Sequence, residues 1–132
     1  MKPDTRVILV VPAGLVVTVL LAGVAGIGGW IWIYIATCLV QYLAVKVRKE
    51  PFPIPVAHLI SLFVSAILYA ALNGGGGDTF VMETGKAFSL YLVPQLVWLG
   101  TDWYIVKNLR DLSPKFAQYG PTARALAKKT AQ

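Results

Sequence analysis

The chain has 132 residues, of which 57% are hydrophobic and only 14% are charged. Soluble domains usually carry about a quarter charged residues, so this composition excludes an ordinary soluble protein and indicates an integral membrane protein with no nucleic-acid partner, despite a net charge of +6. The length leaves room for about four membrane crossings and a short tail, and the single cysteine, Cys38, excludes an intrachain disulfide.

The first apolar stretch contains no charged residue between Arg6 and Lys46. At 1.5 Å per helical residue it is roughly twice as long as one bilayer crossing requires. Glycines at positions 26, 28 and 29 divide it, which predicts a helical hairpin of segments 7–27 and 30–46. The basic residues before the first segment would also fit a cleaved signal peptide. The apolar run continues past the possible cleavage site, so we expect a retained helix.

Two further segments follow, at 54–72 and 87–106. Prolines 51, 53 and 55 predict a stiff connector before the third segment, and four glycines at 74–77 predict a flexible stop after it. The polar residues 78–86 predict a loop that faces water. Pro94 predicts a kink near the centre of the fourth segment. Pro114 and Pro121 break the tail 107–132 into short pieces.

Basic residues set the expected orientation. Every lysine and arginine except Lys86 lies before the first segment, between the second and third, or after the fourth. The positive-inside rule then places both termini in the cytoplasm. The sequence therefore predicts an all-α, multi-pass integral membrane protein with four transmembrane helices in two hairpins and a basic cytoplasmic tail, and we expect it in a bacterial or archaeal inner membrane.

Small residues recur every four positions in the first segment, at Gly14, Thr18, Ala22 and Gly26. This spacing makes a flat stripe on which a second helix can approach closely. It is compatible with docking to another subunit, and equally with packing inside the four-helix bundle.

Two ionisable side chains, His58 and Asp102, lie inside the predicted spans. The helical rise places both roughly 7 to 9 Å from the midplane on the cytoplasmic side, so they could meet. A histidine partner would reduce the cost of burying the carboxylate, and the pair could also relay protons. Gln41 lies at a similar depth and could extend this polar cluster. The alternative is that Asp102 reaches interfacial water or pairs with Lys107, and that His58 lies at headgroup level.

Pro94 and Gln95 form a second candidate site. A proline frees a backbone carbonyl in a helix, and Gln95 adds a polar side chain, so the pair could contribute to a substrate or ion site. A packed structural kink is the simpler interpretation.

The tail is rich in basic residues and contains one acid, Asp111. We expect it to contact anionic lipid headgroups or a cytoplasmic partner, or to act as a topological anchor. The basic residues concerned are Lys107, Arg110, Lys115, Arg124, Lys128 and Lys129.

No metal-binding, phosphate-binding or nucleophile motif occurs in the sequence. We therefore expect no catalytic residue, no metal and no cofactor. The function that this favours is a small non-catalytic subunit of a multi-subunit membrane complex, of the respiratory, photosynthetic or secretion type, whose partners are lipids and other membrane subunits or copies of itself. A self-assembling pore of the holin type and a small dimeric transporter are the alternatives.

Overall fold

The computed structural model describes residues 2–74 and 77–131, and over these residues the secondary structure is entirely helical. Three helices are long and apolar enough to cross a membrane, namely α1, α2 and α3, which indicates a membrane protein. The fourth long helix, α4, is not among these three. The elements in chain order are α1 (Pro3–Ala22), α2 (Gly26–Arg48), α3 (Ile54–Gly74), α4 (Asp78–Lys107), a 3-10 turn (Leu109–Asp111) and α5 (Pro121–Ala131).

The break between α1 and α2 lies earlier than the sequence predicts. Gly23 ends α1 with a φ of 79°, and its N–H bonds the carbonyl of Val19 at 2.8 Å. A positive φ is easiest for glycine, so this residue is the natural stop. Gly26 and Gly29, predicted to form the break, instead belong to α2. At Gly29 a Cβ would come within 3.2 Å of Pro94 Cγ, so the missing side chain allows close packing with α4.

Helix α4 is longer than its predicted span of 87–106. Residues 78–86, expected to be a loop, form its first turns after Gly77, which has a φ of 67°. Polar residues stabilise these turns locally, because Lys86 pairs with Glu83 at 3.2 Å and the Thr84 hydroxyl donates to a backbone carbonyl one turn back. Gly75 and Gly76 of the predicted flexible stop lie outside the described residues.

Helix α4 contacts each of α1, α2 and α3 and is the centre of the bundle. Its buried side chains include Trp98, whose ring stacks on Trp30 of α2 with centroids 4.8 Å apart. The Trp98 indole N–H donates to the Trp30 carbonyl at 2.8 Å, so the aromatic contact is also a polar one. In contrast, only 17% of the apolar stretch of α1 that could span a membrane is buried. Its exposed valines and leucines suit a lipid environment.

The segment after α4 contains the short 3-10 turn and helix α5, and it folds back onto the bundle. Leu112 and Ala123 join a buried apolar cluster with Val7 of α1 and Ile105 of α4. The Ser113 N–H donates to Asp4 Oδ1 at 2.9 Å, which connects this segment to the beginning of α1. Helix α5 then packs along α2.

Candidate functional site

His58 and Asp102 form the centre of a buried polar chain. The Nε2 atom of His58, on α3, lies 3.0 Å from Oδ2 of Asp102, on α4. The two residues are 1% and 0% exposed, so neither reaches solvent. The structure thus brings together the two ionisable residues that the sequence places at equal depth.

Gln95 lies on the other side of the His58 ring. It precedes Asp102 by about two helical turns, so both side chains point from the same face of α4. The Gln95 amide donates to Nδ1 of His58. That bond makes Nδ1 an acceptor, and the imidazole proton then resides on Nε2, where it is donated to the Asp102 carboxylate. Gln95, predicted as part of a separate kink site, therefore belongs with His58.

Asp102 also accepts hydrogen bonds from the first turn of α5. The hydroxyl of Thr122 donates to Asp102 Oδ2 at 2.7 Å, and the Thr122 backbone N–H donates to Oδ1 at 3.2 Å. The first turn of a helix has free N–H groups and a partial positive charge, so a carboxylate is a favourable partner there. Asp102 thus caps α5 from a neighbouring helix.

Gly120 is what allows this close approach. A Cβ at Gly120 would lie 2.6 Å from Oδ1 of Asp102, which is closer than real Cβ contacts come. Pro121 follows as the first residue of α5, where proline is well tolerated because no intrahelical N–H bond is lost.

Gln41 of α2 completes the chain at the other end. Its Nε2 donates to the Thr122 hydroxyl at 2.9 Å and to the Phe52 carbonyl at 3.0 Å, while its Oε1 accepts the Phe52 N–H at 2.8 Å. It extends the cluster through Thr122, because its hydrogen bonds go to Thr122 and Phe52 and not to His58 or Asp102. The connector before α3 is thereby held to α2 by both the NH2 group and the carbonyl oxygen of one buried side-chain amide.

The five side chains of this polar chain come from every helix except α1. In order along the chain of hydrogen bonds they are Gln95, His58, Asp102, Thr122 and Gln41, and all are at most 4% exposed. Buried polar groups in a membrane protein are costly without partners, and every polar side-chain atom of this set except Gln95 Oε1 has one. The arrangement therefore constrains how α2, α3, α4 and α5 pack. The two ends of the chain are side-chain amides, and its centre is the pair of His58 and Asp102.

A second polar layer joins α2 to α3 further along the helices. The Thr37 hydroxyl lies 3.0 Å from the Ser61 hydroxyl, and the Trp32 indole N–H donates to Ser65 at 3.0 Å. Small hydroxyl residues permit this close approach while adding interhelical hydrogen bonds.

The small-residue stripe of α1 packs largely within the chain. A Cβ at Gly14 would come 3.0 Å from Val97 and 3.3 Å from Thr101, so α1 meets α4 there. Gly26 lies equally close to Thr18, and only Ala22 of the four is partly exposed. This is the placement expected of internal packing.

An open groove runs beside that contact, between the outer faces of α1 and α4. It is shallow, with a volume of about 320 Å³, and its lining includes the small residues Ala13, Gly14 and Gly100 beside larger aliphatic side chains. A Cβ at Gly100 would meet no atom within 4 Å, so nothing in the described chain fills this part of the surface.

All six basic residues of the predicted tail site are exposed. Arg124 and Lys128 lie on the side of α5 that faces α2, where Lys128 Nζ is 4.1 Å from the centre of the Tyr42 ring. Lys107, Arg110 and Lys115 lie in the segment between the end of α4 and α5. The predicted basic tail is therefore divided between a docked helix and the segment that leads to it.

Thr122 and Gly120 were not among the predicted site residues. The sequence carries one signal for them, since a glycine followed by proline and an alanine-rich stretch is typical of a helix start. Among residues 2–74 and 77–131, no group of three or more His, Cys, Asp or Glu side chains is placed to hold a metal ion.

Comparison of the chain with protein-family models, with curated proteins and with solved structures finds no match.

Proposed function

We propose that this protein is a small non-catalytic subunit of a larger membrane complex and that it receives a transmembrane helix of a partner subunit in the groove between α1 and α4. The observation that carries the proposal is the groove itself, which is apolar, about 320 Å³ in volume and open at Gly100. Membrane helices associate most closely where small residues let backbones approach, and the exposed Ala13 and Gly100 provide such a surface.

The proposal includes four membrane crossings with both termini in the cytoplasm. Support comes from the position of α4, which packs against all three candidate membrane spans. A helix packed in this way would lie in the same bilayer as the spans. Its low apolarity also has a local explanation, because Gln95, Thr101 and Asp102 are buried in the bundle and would not face lipid. The distribution of basic residues, with Lys86 alone on the opposite side, supports the orientation.

The polar chain supports a structural role over a chemical one. Asp102 accepts hydrogen bonds from His58 and twice from Thr122, so the carboxylate is already occupied by groups of the chain. Removing one partner of such a buried pair leaves an uncompensated polar group, which makes the network a strong constraint on packing. We infer that it holds α5 and the connector before α3 against the bundle.

Affinity purification in a mild detergent, followed by mass spectrometry, tests the accessory role. We expect the tagged chain to recover the same companion membrane proteins reproducibly and in fixed proportion. Gly100→Leu should remove them, because leucine fills the groove while its Cβ meets no atom of the chain. Gly28→Leu is the matched control, since Gly28 is equally exposed and open but lies outside the groove.

Comparison of the two variants shows whether the companions bind in the groove between α1 and α4. Loss of the companions in Gly100→Leu with retention in Gly28→Leu supports the proposal. Recovery of the chain as a stable oligomer without companions would contradict it and favour a self-assembling pore, which leakage of dye from reconstituted liposomes would then reveal.

A small proton-coupled transporter is the second candidate function, and the observation that favours it is the buried pair of His58 and Asp102. An intramembrane ionisable pair is a common element of proton pathways. In a transporter, His58→Gln should abolish proton flux into liposomes while the protein remains folded.

A further inference from the structure

A second groove lies on the other side of the bundle, between α2 and α5. It encloses about 270 Å³. Its apolar part includes Ile35 and Leu39 of α2, which are 52% and 55% exposed, together with Ala125 of α5. Arg124 and Lys128 of α5 lie along its edge. The groove is therefore amphipathic, with an apolar floor and a cationic rim.

The cationic rim is not neutralised by the chain. In residues 2–74 and 77–131 the side-chain ion pairs are His58 with Asp102 and Lys86 with Glu83, so neither Arg124 nor Lys128 is paired with an acid there. The residues that line the groove include no acid. A third cation, Lys46, lies 5.8 Å from the ring of Tyr42, on which Lys128 also packs. These charges together attract an anion.

The positions at which the two α5 cations pack against α2 indicate which kind of anion suits the groove. Arg124 and Lys128 lie one helical turn apart on α5, so their side chains can reach the same anion. Lys128 packs beside Tyr42 of α2, and Arg124 packs beside Tyr34, further from the end of α2 at Arg48. A cation within the span costs free energy unless it reaches the headgroup level or an anion accompanies it. An anion that brings its own apolar chain suits a groove whose floor is apolar.

We propose that the groove between α2 and α5 binds one anionic phospholipid, whose phosphate is held by Arg124 and Lys128 and whose acyl chain lies along Ile35 and Leu39. The guanidinium of Arg124 can bind two phosphate oxygens at once, and Lys128 adds a second positive charge. This site is separate from the groove between α1 and α4 and needs no partner subunit. It depends only on α2 crossing the membrane.

Native mass spectrometry of the full chain in detergent tests the site. Phosphatidylglycerol and phosphatidylcholine are added in equal amounts, and the number of bound lipids of each kind is counted. We expect one phosphatidylglycerol to be retained with about tenfold preference, since basic residues near the headgroup each add to the attraction for anionic lipid. The double variant Arg124→Gln, Lys128→Gln should bind the two lipids about equally.

The matched control removes the same charges elsewhere in the tail. Arg110→Gln, Lys115→Gln also loses one arginine and one lysine, both exposed and both outside the groove. Retention of the preference in this control, with its loss in the groove variant, supports a defined site. Equal loss of the preference in both variants would show diffuse attraction to a basic surface and would overturn the proposal. Retention of the preference for phosphatidylglycerol in the groove variant would overturn it as well.

Cys38 provides a second measurement on the unmodified chain, because it lines the same groove and is partly buried. Its reaction with a maleimide in detergent should slow about tenfold when phosphatidylglycerol is added, and should not change with phosphatidylcholine. Inorganic phosphate should give no protection. Protection by phosphate alone would show a simple anion site and overturn the assignment to a lipid.

Discussion

Thr122 donates its hydroxyl to Asp102 across 2.7 Å, and the same hydroxyl accepts the amide N–H of Gln41 at 2.9 Å. One hydroxyl therefore joins α5 to both α4 and α2. Because Thr122 occupies the first turn of α5, its backbone N–H has no partner within the helix, and it donates to Asp102 Oδ1 at 3.2 Å. The position of the C-terminal helix thus depends on a residue near the end of α4.

His58→Ala should destabilise the folded protein by about 2 to 3 kcal/mol, because Asp102 would lose one of its donors in a site without solvent. Chemical denaturation in detergent micelles measures the change. His58→Gln, whose amide can still donate, should recover part of the loss. If the alanine variant unfolds at the same denaturant concentration as the parent chain, the bond to Asp102 contributes nothing.

Thr122→Val should loosen α5 at a cost of about 1 to 2 kcal/mol, since it keeps the volume of the side chain but leaves Gln41 and Asp102 each short of a partner. Hydrogen exchange of the α5 amides should accelerate while that of α3 changes little. Thr130→Val is the control, because the Thr130 hydroxyl is exposed and bonds only to its own helix. Similar exchange in both variants would contradict the proposed role of Thr122.

Gly120→Ala should displace Asp102 or the start of α5 and cost about 1 to 3 kcal/mol, because the new methyl group would lie 2.6 Å from Oδ1. Gly85→Ala is the counterpart in an open part of α4, where alanine should stabilise the helix by about 1 kcal/mol. The unfolding temperatures of the two variants should therefore shift in opposite directions from that of the parent chain. A neutral Gly120→Ala would mean that the close approach to Asp102 is not needed.

Much of the bundle follows from the sequence. Uncharged runs separated by glycine and proline give the long helices, and counting residues from the helix ends places His58 and Asp102 at the same depth. The break after α1 was misplaced because three glycines at 26, 28 and 29 are a denser signal than Gly23 alone, although Gly23 adopts the positive φ. In α2, Gly29 allows close contact with α4 and Gly26 allows close contact with α1, which no local pattern reveals.

The C-terminal segment shows a different limit of sequence analysis. Its charge and its prolines indicate a solvated tail, and helix α5 is too short and too polar to be recognised as part of a membrane bundle. What holds it is a contact between Thr122 and Asp102, which are 20 residues apart in the chain. Residues 78–86 illustrate the same point, because polar residues can form a helix as readily as a loop when their side chains bond within it.

Proton flux into liposomes tests the central claim, that the polar chain is structural, most directly. The purified chain is reconstituted, a pH gradient is applied, and a pH-sensitive dye inside the vesicles reports entry of protons. We expect the parent chain and His58→Gln to show the same slow flux as protein-free liposomes. A proton flux in the parent that His58→Gln abolishes, while both proteins unfold at the same denaturant concentration, would contradict the structural account. It would assign His58 and Asp102 to a proton pathway.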